Sequence, residues 1–179
     1  SFLDRENFGR SAMNISADEV YELVTKQILS LQKIATKNNC KLHHVKPHGA
    51  LYNQAAKNIS LAKAISTAAK NIDETLVLFG LSGSFLISEA KAIGLKTASE
   101  VFADRTYQDD GTLTPRQQPN ALIEDEDECL QQVLKMIKEG KVKTVSGKEI
   151  DIVAETICIH GDGKNAVGFA KKIYDALRK

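Results

Sequence analysis

The sequence contains no tryptophan, and only three prolines and three cysteines in 179 residues. Cys40, Cys129 and Cys158 are odd in number and far apart, which excludes a disulfide framework or a clustered zinc site and points to a reducing, cytoplasmic setting. An excess of either charge is also missing. Lys and Arg number 24 against 23 Asp and Glu, and a net charge of +1 lacks the field that steers proteins to nucleic acid or to an anionic membrane. No apolar run approaches the roughly 18 residues of a membrane span. No signal-peptide pattern opens the chain. Glycine and proline are too sparse for a fibrous or disordered class.

What is present is a chain 42% apolar, of a length that suits one domain over residues 1–179. A domain of that size buries roughly 70% of its unfolded surface. Position 1 is Ser, and SFLDRENFGR is charged and aperiodic, so it reads either as a processed start or as a chain missing its front.

Ser16-Ala17-Asp18-Glu19 predicts a capping box, followed by a helix on Val20, Leu23, Val24, Ile28, Leu31 and Ile34 that leaves at Asn38-Asn39. Leu42 to Val45 is a short strand, closed by Lys46-Pro47-His48-Gly49, and the next helix is expected from about Ser60 to Lys70. Leu76 to Phe79 is an apolar run without alternation, as in a strand buried on both faces. A helix over Phe85 to Ile93, a strand over Thr97 to Phe102 and a long irregular stretch from Ala103 to Glu124 follow. Asp125 caps a helix with a stripe of Leu130, Val133, Leu134 and Ile137 that Gly140 ends. A hairpin around Ser146-Gly147, a strand over Thr156 to Ile159 and a helix over Ala166 to Leu177 complete the chain. Apolar strands alternating with amphipathic helices make the fold class α/β, with parallel βα units.

In such folds chemistry collects where strands end. Lys46 supplies a fixed positive charge and His48 a proton exchanger near neutral pH. His43 and His44 precede them, and strand alternation turns them to opposite faces. Glu100 and Asp104 beside Arg105 and Arg116 fit a general base with an anion clamp, or else a surface ion-pair network. His160 and Asp162 leave one strand together and could orient each other or bind a metal; the plain alternative is an ordinary capped turn. Several motifs fail. Gly163-Lys164 lacks the rest of a phosphate loop, and Gly161, Gly163 and Gly168 miss dinucleotide spacing. Gly80-Leu81-Ser82-Gly83 is not a nucleophile elbow, leaving Ser82 as a turn residue. Each cysteine, Cys40, Cys129 and Cys158, reads as a core filler.

The block His43-His44-Val45-Lys46-Pro47-His48-Gly49-Ala50-Leu51-Tyr52-Asn53 closely resembles a signature of the LamB/YcsF family. Three further blocks agree in order: Asp4 to Arg10, Ser99 to Arg105 with Pro115-Arg116, and Ile159 to Asp162. The resemblance implies a distorted (β/α)7 barrel of the glycoside hydrolase/deacetylase type, of which this chain would be the C-terminal portion without the N-terminal strands. It implies ATP-dependent opening of 5-oxo-L-proline to L-glutamate, with the chain as the A component of a 5-oxoprolinase whose partners are the B and C subunits. ATP, alone or with Mg2+, is the implied cofactor, and no further metal is specified. Strand edges left uncovered by a partial barrel would favour a homo-oligomer. For that chemistry Lys46, Arg105 and Arg116 would hold phosphate or the substrate carboxylate, with Asn53 as a further binding group. Glu100 or Asp104 would activate water, and His48, His160 and Asp162 would relay protons. Two alternatives stand beside this one: a metal-dependent amide or acetyl hydrolase without ATP, and a non-catalytic binding or scaffold subunit.

Overall fold

The computed structural model describes residues 1–163 and 165–178, so Lys164 of the failed phosphate loop lies outside the described residues. The chain forms two compact units, Ser1–Ala98 and Ser99–Lys179. Both are of the α/β class, with the parallel strand pairing expected from the sequence.

The first unit begins with α1 (Ala17–Lys37), and the capping box predicted for it is present. Ser16 Oγ accepts from Glu19 N at 3.2 Å, and Glu19 Oε2 accepts from Ser16 N at 2.8 Å. Asp18 and Glu19 in the first turn and Lys37 in the last complement the helix dipole. Val20, Val24 and Ile28 form the buried stripe. That stripe belongs to a helix packed on α3 (Ile59–Ile72), whose Ala62, Ala68 and Ala69 are fully buried and let the backbones approach. The strands β1 (His44–Val45) and β2 (Val77–Leu81) pair in parallel, His44 beside Val77 and Val45 beside Leu78. α4 (Phe85–Ala92) follows β2 and packs on it closely: a Cβ on Gly80 would lie 2.7 Å from the Leu86 Cβ.

One helix of this unit was not expected. α2 (Gly49–Lys57) starts directly after Pro47-His48 and buries Ala50, Leu51, Tyr52, Ala55 and Ala56. The Pro-x-Gly punctuation reads as a turn, but Gly49 enters the helix with φ of +65°. Asn58 then ends α2 and caps α3, its Oδ1 accepting from Leu61 N at 3.2 Å.

β3 (Lys96–Phe102) runs across the division between the units. In the second unit its later residues pair in parallel with β6 (Thr156–Cys158), Glu100 beside Thr156 and Phe102 beside Cys158. α5 (Glu126–Glu139) is capped by Asp125, whose Oδ1 accepts from Asp127 N and Glu128 N at 2.9 Å each. It ends at Gly140 in the left-handed conformation. β4 (Lys141–Lys143) and β5 (Glu149–Asp151) make the expected hairpin, and α6 (Ala166–Leu177) packs on α5.

The irregular stretch before α5 is not a loose loop. Tyr107 is fully buried, and bridges join Arg105 to Leu122 and Tyr107 to Leu113 and Thr144. Its periodicity is hidden because isolated bridges, not ladders, carry its backbone pairing. Among the described residues no helix is long and apolar enough to cross a membrane.

Gly49 and Gly83 separate two costs of adding a methyl group. Both have positive φ, but a Cβ on Gly49 would sit 2.3 Å from the Gly9 carbonyl oxygen, whereas at Gly83 nothing lies within 4 Å. Gly83→Ala should lower the unfolding free energy by about 1 kcal/mol, and Gly49→Ala by at least about twice that. Urea titration of the two variants reads the difference.

Candidate functional site

In the first unit, two of the sequence blocks meet. Asp4 gathers its own loop, accepting from Asn7 Nδ2 at 3.0 Å and Ser11 N at 3.2 Å, and the loop returns through Gly9. The Gly9 carbonyl oxygen accepts from Ala50 N at 2.9 Å, which ties the loop to the start of α2. The close approach that Gly49 permits is therefore to this peptide. Lys46, half-buried, holds its Nζ 5.8 Å from the Tyr52 ring centroid, a cation–π contact. His48 is exposed at the N-cap of α2. Asn53 Nδ2 donates to the Gly49 carbonyl oxygen of its own helix at 3.3 Å. His44 stacks on Phe79 with centroids 4.3 Å apart. The expectation that His43 and His44 face opposite ways does not hold. Their rings meet edge to face at 5.8 Å, because β1 starts only at His44 and His43 is free of strand alternation.

The second unit holds the most developed site. The β3–β6 ladder pairs residues 56 apart, and continuing that offset two residues past each strand sets His160 beside Asp104. The structure realises this as a tight pair. His160 Nδ1 lies 3.0 Å from Asp104 Oδ1 and 2.9 Å from Oδ2, and His160 N donates to Oδ2 at 3.0 Å. The Phe102 ring stacks on the imidazole at 5.6 Å. The mutual orientation expected of His160 and Asp162 is thus replaced by an orientation of His160 through Asp104. Residues 160 and 162 lie on one segment, whereas the neighbouring strand supplies an in-register partner. Burial opposes the charge on Asp104, but the hydrogen bonds from His160 and its positive charge outweigh that and hold the carboxyl below its ordinary value.

A carboxylate at Nδ1 keeps the ring proton there and leaves Nε2 as the basic nitrogen. His160 and Asp104 line a cavity of about 270 Å³, together with Arg116, Glu124, Asp162 and Phe169. The site therefore combines an oriented imidazole, a guanidinium for an anionic group and an apolar floor. Of the residues singled out from sequence (Lys46, His48, Asn53, Glu100, Asp104, Arg105, Arg116, His160 and Asp162), the cavity brings together Asp104, Arg116, His160 and Asp162.

Arg105 and Glu100 are placed differently. Arg105 is 3% exposed, and its guanidinium donates to the Ala121 carbonyl oxygen at 3.1 Å and the Thr114 carbonyl oxygen at 2.5 Å, stitching the 103–124 segment. Burial, with the like charge of Arg116, brings its pKa down to about 10, so it remains a cation at neutral pH. Glu100, 2% exposed, lies inside β3, two and four residues before Phe102 and Asp104 on the alternation of the strand. Both are buried, which rules out the surface ion-pair network.

Sequence reasoning passed over Phe102, Tyr107 and Gln132. The Tyr107 hydroxyl accepts from Phe102 N at 2.8 Å, and burial raises its pKa. Gln132 binds the backbone around Asp104. An apolar strand residue, a lone tyrosine and a helix glutamine carry no motif that would have marked them. Ser82 lies in the turn expected of it. Cys129 is a core filler whose thiol burial pushes up to about 12, whereas Cys158 is half-buried and Cys40, just past the end of α1, is exposed and fills no core. Among the described residues no three His, Cys, Asp or Glu side chains gather to hold a metal ion.

The pattern of the LamB/YcsF family matches residues 1–179. The chain is 54% identical over 177 residues to the 5-oxoprolinase A subunit of Geobacillus kaustophilus, covering 99% of this chain and 69% of that protein. It is 56% identical over 176 residues to the 5-oxoprolinase A subunit of Shouchella clausii, covering 98% and 70%. The crystal structure of a lactam utilization protein from Thermus thermophilus superposes with a TM-score of 0.89 at 39% identity, over 99% of this chain and 71% of that one.

The Asp104 pair carries a pH signature. The folded carboxyl titrates below the ordinary value of 3.8, so its contribution to stability is complete above that value and is lost as pH falls through the lower folded one. Asp104→Asn should cost about 1–3 kcal/mol near neutral pH, the scale of a hydrogen bond to a charged group. The gap between wild type and variant should narrow below about pH 4. Chemical unfolding at a series of pH values measures it, and a gap constant with pH would show that the carboxylate charge does not matter.

Proposed function

The chain belongs to the LamB/YcsF family, and from that membership we propose that it is the A component of a 5-oxoprolinase, opening the lactam of 5-oxo-L-proline to L-glutamate. Identity above half with proteins bearing that name is the observation that carries the reading. The Asp104–His160 cavity supports it chemically. Its roughly 270 Å³ suit a five-membered ring with one carboxylate better than a nucleotide.

In this reading His160 Nε2 takes a proton from the water that attacks the lactam carbonyl carbon and returns it to the departing ring nitrogen. Asp104 holds the tautomer and stabilises the imidazolium that forms. Arg116 takes the substrate carboxylate, and Asp162 at the cavity rim passes protons to solvent. Arg105 contributes positive potential from behind, since its N–H groups already hold backbone carbonyls. Glu100 adds its charge through the buried strand. Lys46, His48 and Asn53 are proposed as the anion-binding and polar groups of the β1–α2 turn.

An unstrained lactam hydrolyses reluctantly, and ATP, as co-substrate, would supply the driving force by passing its γ-phosphoryl group to the amide oxygen with release of ADP, the phosphate leaving that oxygen after water has added to the carbon. The described residues show no glycine-rich phosphate loop, which fits a nucleotide bound with the help of the B and C subunits. We place the assembly, including any self-association of this chain, in the cytoplasm; Cys40, Cys129 and Cys158, none of them in a disulfide, agree with a reducing compartment.

With the complete complex, glutamate release from 5-oxoproline should require ATP. His160→Ala should reduce kcat at least about 100-fold, the lower range for loss of a general base. Lys46→Ala should cut turnover by about 100-fold, the scale of one group stabilising developing charge. Near-normal turnover in either variant removes that residue from the mechanism. Release of glutamate without ATP would replace the proposed reaction by simple hydrolysis.

A further inference from the structure

The β3 ladder ends at Phe102, and the chain turns away at residues 103–105 while still having to hold Asp104 against His160. The carbonyls of residues 102, 103 and 105 lie at the end of that ladder. One side chain answers them. Gln132, half-buried on α5, donates from Nε2 to the Phe102 carbonyl oxygen at 3.0 Å and to the Arg105 carbonyl oxygen at 2.9 Å, with the Ala103 carbonyl oxygen at 3.4 Å. These carbonyls bracket Asp104 on both sides. The Asp104 carbonyl oxygen itself accepts from Ile123 N at 3.0 Å, and Ala103 N donates to the Cys158 carbonyl oxygen at 3.0 Å. Every peptide around the carboxylate is therefore pinned, and Gln132 supplies its share of these bonds from a side chain outside both the ladder and the 103–124 segment.

We infer that Gln132 is a positioning residue, fixing the backbone at 102–105 so that both oxygens of Asp104 stay on His160. It touches neither the imidazole nor the cavity named above; it acts through Asp104. A two-oxygen contact is sensitive to displacement, because rotating the carboxylate away loses one oxygen before the other. Groups that orient a catalytic side chain from outside commonly change activity by about 10–100-fold. The kinetic part of this inference rests on the reading of His160 as the proton-transfer group; the structural part does not.

The test is Gln132→Met, which keeps the length and removes the donors. Proton NMR of the full chain would follow the hydrogen-bonded Nδ1–H of His160, assigned among the four histidines by its loss in His160→Gln. The expected result is a folded variant whose Nδ1–H exchanges with water at least about tenfold faster, with kcat of the complete complex reduced about tenfold and KM for 5-oxoproline within about twofold. A folded variant with unchanged exchange of that proton overturns the inference. If Gln132→Met does not fold, Gln132→Asn, whose amide is one carbon short of the carbonyls, enters the same measurement and the same two outcomes decide. If the wild-type complex releases no glutamate, the functional reading fails while the NMR result still judges Gln132.

Discussion

The register of β3 against β6 is the constraint on which the second unit depends. Parallel strands exchange hydrogen bonds at a fixed offset, so pairing Glu100 with Thr156 also decides what stands two residues beyond Phe102 and Cys158. The answer is Asp104 beside His160, each emerging where its strand has stopped but its direction has not changed. A slip by one residue would turn His160 to the other face and leave a buried carboxylate unpaired, at a cost of several kcal/mol. The same ladder that closes the core thus builds the carboxylate–imidazole pair.

Around that pair the structure divides the polar groups by task. Arg105 and Tyr107 face inward and hold the backbone, Arg105 through the carbonyls of the 103–124 segment and Tyr107 through Phe102 N. Arg116 and Asp162 border the cavity. Two arginines in one short segment would repel each other if both were engaged at the cavity. One is buried against carbonyls and the other stands at the rim; Arg116 still acts on Arg105, lowering its pKa, and the pair leaves positive potential at the cavity.

In the first unit the organising feature is a close approach of two backbones. Gly9 and Gly49 let the Asp4–Arg10 loop lie against the N-terminus of α2, and a methyl group at Gly49 would occupy the Gly9 carbonyl oxygen. Both segments were marked in the sequence as separate blocks, and their meeting explains the glycine at 49; Gly9 answers instead to its own φ of +69° and to Ser1, whose Cβ would lie 3.1 Å from an added methyl group. The turn that carries Lys46 and His48 is braced by this contact and by the cation–π contact of Lys46 with Tyr52.

Local chemistry alone wrote much of the chain. Ser16 with Glu19, Asp125 and Gly140 fix helix ends from side-chain and backbone preferences that act within four residues, and the apolar run at Leu76 to Phe79 suited a strand buried on both faces, of which the structure buries Leu76 and Leu78 and leaves Val77 and Phe79 half-buried. α2 escaped because its start is spelled with Pro47 and Gly49, residues that signal a turn unless another part of the chain holds the glycine in place. The site followed the same division. The sequence nominated Asp104, His160 and Asp162 by their positions at strand ends, and Arg116 by its place in the long irregular stretch that follows. It could not show that His160 belongs to Asp104 and not to Asp162, that Arg105 is committed to carbonyls, or that Gln132 braces the turn, because each depends on strand register and helix packing across tens of residues. Spacing along a chain reports neighbours within an element. Only the tertiary structure decides which elements become neighbours.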